Sequence, residues 1–251
     1  MSMSLPPPFW PILLGVLGAV FGSFIATIAL RWPEGRGVAH GRSACDGCGR
    51  VLRPVELVPL ASFLLLRGRC RTCRAAIAPS HFVIELLGAG IGVTAGLVAP
   101  GPAGVAGAAC GWLLLALGAI DLAAFWLPDR LTLSLAVVAG IGGIAGVTPD
   151  PAARAIGGVA GFGSLWLLAA AYRRVRGRIG LGGGDPKLFG AIGLWLGWRA
   201  LPLVLLIAAL AGLAAVAAGA AQGGRVRADD RLPLGTLLAG AAFLVWAVTA
   251  P

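Results

Sequence analysis

The sequence predicts an all-α polytopic membrane protein with about eight transmembrane helices and a small cytoplasmic zinc-binding module between the first and second. Hydrophobic residues make up 58% of the 251 residues, charged residues only 12%, and the mean hydropathy is +0.90. Water-soluble domains carry about twice that charged fraction. A soluble globular protein is therefore excluded.

Eight apolar segments are the predicted transmembrane helices. About 20 apolar residues cross the bilayer core as a helix, and only the sixth segment is clearly shorter than that. Turns rich in proline and glycine separate the segments. The first segment is too long for the core of a cleaved signal peptide and no basic residue precedes it, so we expect it to be a transmembrane helix. The segments cover residues 9–30, 82–99, 103–120, 131–147, 155–172, 188–198, 201–221 and 233–250.

The basic residues predict the side of the membrane on which each loop lies. If the N-terminus faces outward, the cytoplasmic loops hold 18 of the 20 Lys and Arg residues, and only Arg154 and Arg199 lie outside. Cytoplasmic loops carry an excess of basic residues, so the sequence predicts this orientation. The net charge of +10 is explained in the same way, and nucleic-acid binding is not expected.

Residues 31–81 form the only long polar loop of the chain and contain nine arginines. We expect this loop to be the cytoplasmic module. It divides the chain into a first transmembrane helix over residues 1–30, the module over 31–81 and a transmembrane core over 82–251.

Four cysteines of the module are spaced as two CxxC pairs, Cys45 with Cys48 and Cys70 with Cys73. Two residues between the thiols allow one tight turn to direct both sulfurs at a single ion, and two such turns complete a tetrahedral thiolate site. Two disulfides are the alternative, but disulfides are rare in the reducing cytoplasm. The sequence predicts a structural zinc site with no open position. Cys110, inside the third segment, is expected to be a packing residue.

Three acids, Glu85, Asp121 and Asp185, interrupt or border apolar segments on the predicted cytoplasmic side. An ionisable group in such a place is costly and is a functional candidate. Asp121 ends the third segment, where a plain helix-end carboxylate is the alternative role. Asp185 follows a glycine run, and Trp198 is 13 residues further on, which is roughly 20 Å of helix against a hydrocarbon core of ~30 Å. We therefore expect Asp185 to lie below the membrane surface.

Two carboxylates at the cytoplasmic ends of neighbouring helices can hydrolyse a peptide as in an aspartic protease. One acts as base toward water and the other, protonated, as acid toward the carbonyl. The helix dipole favours an anion at the start of a helix and disfavours it at the end. We therefore expect Asp185 to be mainly the base and Asp121 mainly the acid, with titration shared by the pair. The glycine run lacks the Walker spacing, so a phosphate-binding loop is not expected.

These residues resemble, in order and spacing, those of the bacterial type IV prepilin peptidases, membrane aspartic proteases of the GxGD class that are also N-methyltransferases. The resemblance runs from Phe21 to about Trp198. It departs from the family pattern at Ala26, where Asn is usual, and at Ser80-His81-Phe82. The matching motifs are Gly22-Ser23-Phe24, both CxxC pairs, Arg67-Gly68-Arg69-Cys70, Glu85-Leu86, Ile120-Asp121, Leu127-Pro128-Asp129, Gly182 to Lys187 and Leu196-Gly197-Trp198.

The resemblance implies that Asp121 and Asp185 are the catalytic pair, that the module binds zinc and that residues 82–251 are the peptidase core of an inner-membrane enzyme. The implied substrate is a prepilin or pseudopilin, whose short basic leader is removed at the cytoplasmic face before a hydrophobic helix. The implied methyl donor for the new N-terminus is S-adenosylmethionine. The resemblance is the only basis for that cofactor.

Substrate-binding residues are expected beside the acids. Gly182 and Gly184 would let an extended substrate lie close to the dyad, and Lys187 is a further candidate. Glu56 aligns with an acid that is common in the family, and a salt-bridged loop residue is its alternative role. A basic leader calls for acidic partners, and the candidates are Glu34, Glu56, Asp129, Asp229 and Asp230.

A proton-coupled transporter with a regulatory zinc module is the competing function, with Glu85, Asp121 and Asp185 as an ionisable relay. The three acids lie on one predicted face and no inverted halves are visible, which disfavours a transporter. A pseudoenzyme scaffold for pilus or secretion assembly is a third possibility. The presence of both Asp121 and Asp185 argues against it.

Overall fold

The computed structural model describes residues 8–38, 42–144, 150–178, 180–223 and 231–250. Most of these residues are helical, and none of them lies in a strand; two isolated β-bridges join Ala44 to Val51 and Arg69 to Ala76. They fall into two compact units, and the boundary lies between Ala108 and Ala109. The all-helical class predicted from composition is confirmed.

Eight of the helices in the described residues match the eight predicted segments, and the ninth, α2, is a short helix of the module. By length and composition, α1, α3, α4, α6 and α8 are able to cross a membrane, and α9 is a shorter apolar helix. The helices are α1 Phe9–Arg31, α2 Ala61–Leu65, α3 Pro79–Val98, α4 Pro102–Ala124, α5 Asp129–Ile144, α6 Pro151–Arg176, α7 Asp185–Leu196, α8 Leu201–Ala221 and α9 Leu234–Thr249.

Helices α1 and α3 form the membrane part of the first unit and touch along their backbones. A Cβ atom added at Gly22 would lie 2.7 Å from Glu85 Cα, one at Gly88 would meet Gly18 O, and one at Gly92 would meet Leu14 O. In lipid there is no hydrophobic force between helices, so association depends on close packing and favours small residues at the contact. The glycines of α1 and α3 provide this close approach.

The second unit is built around α7, which packs against α5, α6, α8 and α9. Its side chains are buried along most of its length, which explains why α7 is apolar on all faces. Glycines again allow the approach, because a Cβ atom at Gly161 would lie 2.6 Å from Phe189 O. With 12 residues, α7 is about 18 Å long. It is shorter than the hydrocarbon core, as the sequence predicted.

Helix α6 shows how local sequence sets the helix ends. Asp150 caps the N-terminus by accepting a hydrogen bond from Ala153 N (3.1 Å), and Pro151 takes the first turn, where a missing N–H has no cost. The arginines around residue 174 lie in the last turn, where they complement the helix dipole. Gly177, with φ +65°, ends the helix in the left-handed region.

Arg154 is buried in the first turns of α6, although the sequence placed it in an outer loop. Its Nε donates to Leu194 O of α7 (2.8 Å) and its Nη2 donates to Ala139 O of α5. The carbonyls at the end of a helix have no partner within the helix. Arg154 thus satisfies the C-terminal end of the short helix α7 and joins three helices.

Candidate functional site

Asp121 lies in the last turn of α4 and is only 5% exposed. Its Oδ2 accepts a hydrogen bond from Thr236 N (2.9 Å) and lies 3.3 Å from Thr236 Oγ1. The same hydroxyl is 2.8 Å from Gly118 O, to which it donates. The start of α9 therefore covers Asp121 and binds it through Thr236.

Asp185 is the first residue of α7 and is 7% exposed. Its Oδ2 accepts a hydrogen bond from Gly182 N (3.0 Å), and its own backbone N donates to Gly182 O (3.3 Å). The glycine run thus folds back on the carboxylate. A Cβ atom at Gly182 would lie 2.9 Å from Asp185 Oδ2, so a larger residue there would press directly on the acid.

The fold brings Asp121 and Asp185 close enough for their charges to interact. The side chain of Leu127 lies between the backbones that support them. A Cβ atom at Gly184 would be 2.7 Å from Leu127 Cβ, and one at Gly235 would be 2.9 Å from Leu127 Cδ2 and 3.0 Å from Asp121 Oδ2. Leu127 therefore packs both against the backbone beside Asp185 and against the backbone beside Asp121.

Lys187 forms an ion pair with Asp129, with 2.7 Å between Nζ and Oδ1. Lys187 lies two residues after Asp185, and Asp129 lies two residues after Leu127 and begins α5. Both side chains are exposed. Two of the residues that the sequence nominated as contacts of the substrate or its leader are therefore neighbours.

The four cysteines of the CxxC pairs form one cluster in the first unit, and all four sulfurs lie within 4.8 Å of one another. Cys45 Sγ and Cys73 Sγ are 3.7 Å apart. Four Zn–S bonds of about 2.3 Å in a tetrahedron separate the sulfurs by about 3.8 Å. The donor set and its spacing therefore fit a metal ion of this kind.

The two cysteine turns have the same backbone pattern. Cys45 N donates to Arg50 O (2.9 Å), and Cys70 N donates to Ala75 O (2.8 Å). The residue four positions after each first cysteine is left-handed, Gly49 with φ +70° and Arg74 with φ +59°. The module is thus a pair of equivalent metal-binding turns, which is how two CxxC motifs produce four convergent sulfurs.

The sulfurs also influence each other electrostatically. Backbone N–H groups of Cys73 and Thr72 lower the pKa of the Cys70 thiol to about 6. The Cys73 sulfur accepts from Ala75 N–H, but burial and the three neighbouring cysteines outweigh it and raise the pKa of Cys73 to about 11. Without a metal, the four sulfurs cannot all be ionised easily because their charges repel. A bound dication stabilises all four thiolates together.

Glu56 is held inside the module by basic partners. Its two carboxylate oxygens accept from Arg50 at 2.7 and 3.1 Å, and Arg53 N donates to it at 2.8 Å. These bonds lower the pKa of Glu56 to about 2. Its side chain is 4% exposed, so the structure gives it the salt-bridged role. A leader-binding role for Glu56 stays a prediction.

The other candidate leader partners are distributed. Glu34 pairs with Arg36 at 2.7 Å, Asp129 pairs with Lys187, and Asp229 and Asp230 lie outside the described residues.

Sequence reasoning missed Thr236, Gly235 and the packing role of Leu127. Pro233-Leu234-Gly235-Thr236 stands at the predicted cytoplasmic start of the last segment. A threonine that follows a proline and a glycine at the membrane edge could have suggested a contact with one of the acids. The sequence could not show which acid the hydroxyl contacts.

Two family models match the chain. The bacterial peptidase A24 N-terminal domain matches residues 16–98, and the type IV leader peptidase family matches residues 108–217. No solved structure matches.

Curated relatives named prepilin leader peptidase/N-methyltransferase are similar over most of the chain. The protein of Burkholderia pseudomallei strain K96243 is 41% identical over 91% of this chain and 83% of its own length. That of Dickeya chrysanthemi is 37% identical over 82% of this chain and 81% of its own length. That of Klebsiella pneumoniae is 39% identical over 80% of this chain and 92% of its own length.

Proposed function

The chain belongs to the type IV leader peptidase family, and we propose that Asp121 and Asp185 are the catalytic pair with which it cleaves prepilins or pseudopilins. One observation carries the proposal: two buried acids, 64 positions apart in the sequence, lie on either side of Leu127, which packs beside Gly184 next to Asp185 and beside Gly235 next to Asp121. Membrane proteins bury acids where they function.

The surroundings of the two acids support different roles. Asp185 begins α7 and accepts a hydrogen bond from Gly182 N, and both features favour its ionised form. Asp121 also accepts a backbone hydrogen bond, from Thr236 N, so the difference between the two acids comes from the helix ends. Asp121 lies in the last turn of α4, where the helix dipole disfavours an anion. Asp185 is thus the base and Asp121 the acid of the resting pair.

Hydrolysis then proceeds by general acid–base catalysis. Asp185 takes a proton from a water molecule, whose oxygen attacks the scissile carbonyl carbon, while Asp121 donates its proton to the carbonyl oxygen. When the tetrahedral intermediate collapses, the C–N bond breaks, Asp185 returns its proton to the leaving amine and the hydroxyl proton returns to Asp121. The pair ends in its starting protonation state.

The substrate is a prepilin or pseudopilin with a short basic leader and a hydrophobic helix after the cleaved bond. The absence of a side chain at Gly182 leaves Asp185 Oδ2 open to an extended substrate segment, whereas Leu127 fills the space beside Gly184. Asp129 and Lys187 border the same place. Asp129 is an acidic partner for a basic leader. When the leader binds, its basic residue replaces Lys187 as the partner of Asp129.

The four-cysteine module holds zinc as a structural ion. The donor set matches that of closed structural zinc sites, which leave no coordination position for a reactant. No step of the hydrolysis passes through the metal. Zinc instead joins the two cysteine turns and so determines the fold of the module.

The same chain methylates the new N-terminus with S-adenosylmethionine as the methyl donor. The methyl group passes from the sulfonium to the amine, which releases S-adenosylhomocysteine and a proton. The support for this activity is the name that the curated relatives share.

The enzyme is a multi-pass protein of the bacterial inner membrane. The distribution of Lys and Arg supports an outward N-terminus, with the module and the catalytic acids at the cytoplasmic face.

A cleavage assay with product mass spectrometry tests the function. The purified protein in lipid vesicles is given a prepilin-type substrate, with and without S-adenosylmethionine. We expect the leader to be removed in both reactions and one methyl group to be added only in the second. An uncleaved substrate would contradict the peptidase, and a cleaved but unmethylated product would contradict the transferase alone.

A further inference from the structure

The module of the first unit exposes an apolar patch, which consists of Val55, Leu57, Val58, Leu64 and Leu65. All five side chains are exposed, Leu64 to 62% and Leu65 to 83%. An isolated exposed apolar residue is ordinary, but apolar residues grouped on two elements that contact each other, here the turn Pro54–Leu57 and α2, mark an interaction surface. This one lies on a polar loop of the protein, where side chains of this kind have no reason to face water.

The patch is fixed at one level of α3 by two contacts. Leu60 N, at the start of α2, donates to Glu85 Oε2 (2.7 Å), and Glu85 is buried. Phe63, in the middle of α2, stacks on Phe82 with 4.9 Å between ring centroids. Phe82 and Glu85 are three residues apart and so lie on the same face of α3. Helix α2 therefore lies against the first two turns of α3.

This level is about as deep in the membrane as interfacial segments lie, which is roughly 5–10 Å. Helix α3, Pro79–Val98, is long and apolar enough to cross the bilayer, and Glu85 is six residues from its start, which is about 9 Å of helix. The same turns of α3 expose Val83, Leu86 and Leu87. Exposed apolar side chains of α3 therefore lie at the same level as the patch.

The basic residues around the patch indicate which kind of partner covers it. Arg53 precedes the patch, Arg67 and Arg69 follow it, and all three are exposed. Apolar side chains bordered by arginines are the pattern of segments that lie in the membrane interface, where the arginines reach anionic headgroups.

We propose that the apolar patch is inserted into the interface of the bilayer, with anionic lipid headgroups bound by the bordering arginines. The module is then held flat on the membrane rather than extended into water. The contacts of Leu60 with Glu85 and of Phe63 with Phe82 determine how deep the patch lies in the membrane. This inference does not depend on the peptidase activity, because it requires only that α3 spans the membrane.

Photo-crosslinking tests the position of the patch. The full-length protein carries p-benzoylphenylalanine at position 65, in vesicles of phosphatidylethanolamine and phosphatidylglycerol, and adducts are identified by mass spectrometry. The matched control carries the same group at position 46, because the Asp46 side chain is 82% exposed in the same module. We expect phospholipid adducts at position 65 and none at position 46.

Other adducts would identify other occupants of the patch. A crosslink from position 65 to residues 109–251, to a second copy of the chain or to an added prepilin would overturn the proposal. So would a yield of lipid adducts at position 65 no higher than at position 46.

A second measurement uses trypsin, which cleaves after Arg67 and Arg69 when they are accessible. Replacing Leu64→Ser and Leu65→Ser together should speed this cleavage several-fold in vesicles and leave the metal content unchanged. Val51→Ser, an exposed apolar residue of the module outside the patch, should have no such effect. Equal rates for the wild type and the double variant would contradict the insertion.

Discussion

Gly184 is the position where a single methyl group tests the geometry of the acid pair. In Gly184→Ala the new Cβ would lie 2.7 Å from Leu127 Cβ and 3.2 Å from Leu127 Cδ1. Carbon atoms in contact are normally about 3.5–4.0 Å apart, so the overlap is about 1 Å. Leu127 cannot move away freely, because it also packs against Gly235 beside Asp121.

The strain in Gly184→Ala should therefore displace Asp185 relative to Asp121. Overpacking of this kind costs about 1–3 kcal/mol of stability, which leaves the protein folded. A misplacement of about 1 Å at a catalytic centre lowers the rate by about 10²-fold. We expect that loss in kcat for cleavage of a prepilin, and Gly184→Val should abolish cleavage.

Gly183→Ala is the matched control for this experiment. A Cβ atom at Gly183 meets no atom within 4 Å, so the same change one residue earlier should leave cleavage near the wild-type rate. Both variants are assayed in vesicles, with thermal unfolding and metal content measured alongside. Full activity of Gly184→Ala, or an equal loss in Gly183→Ala, would refute the proposed packing of Leu127 between the two acids.

Three further predictions concern other contacts. Thr236→Val removes the hydroxyl beside Asp121 and keeps the backbone donor, so kcat should fall and the pH profile of cleavage should shift. Thr236→Ser should restore both kcat and the pH profile, and an unchanged profile in Thr236→Val would contradict the role of the hydroxyl. The purified protein should contain one zinc ion per chain by elemental analysis. Cys45→Ser should lose the zinc and Cys110→Ser should retain it. Zinc that remains bound in Cys45→Ser would contradict the four-thiolate site. Arg154→Met leaves the carbonyl of Leu194 at the end of α7 without its partner and removes the link to α5. An unpartnered buried carbonyl costs about 1–3 kcal/mol, so thermal unfolding should occur at a lower temperature. An unchanged midpoint would contradict the capping role.

The sequence was sufficient to predict the helices and to single out the two acids as candidates, because both depend on local chemistry. A segment of apolar residues has few options in a bilayer other than a helix, and each predicted segment is a helix in the structure. Two CxxC pairs produce convergent sulfurs by turn geometry alone, as the cluster shows. Asp121 and Asp185 stood out because an acid at the edge of an apolar segment is costly.

The remaining contacts depend on which helices are neighbours, and no local pattern carries that information. Thr236 reaches Asp121 across 115 positions of the sequence, and Leu127 contacts both supporting backbones only because α7 and α9 meet beside it. Arg154 looked like a loop residue and is instead a buried cap of α7. The contact between Leu60 and Glu85 also spans 25 positions and places the module against α3.

The most direct test of the catalytic pair is the rate of prepilin cleavage by Asp121→Asn and Asp185→Asn in lipid vesicles. Asp150→Asn is the control, because Asn also caps a helix and Asp150 lies at the start of α6. We predict that the control cleaves at the wild-type rate and that each of the other two variants, folded and loaded with metal, no longer cleaves. Cleavage at the wild-type rate by either Asp121→Asn or Asp185→Asn would contradict the assignment.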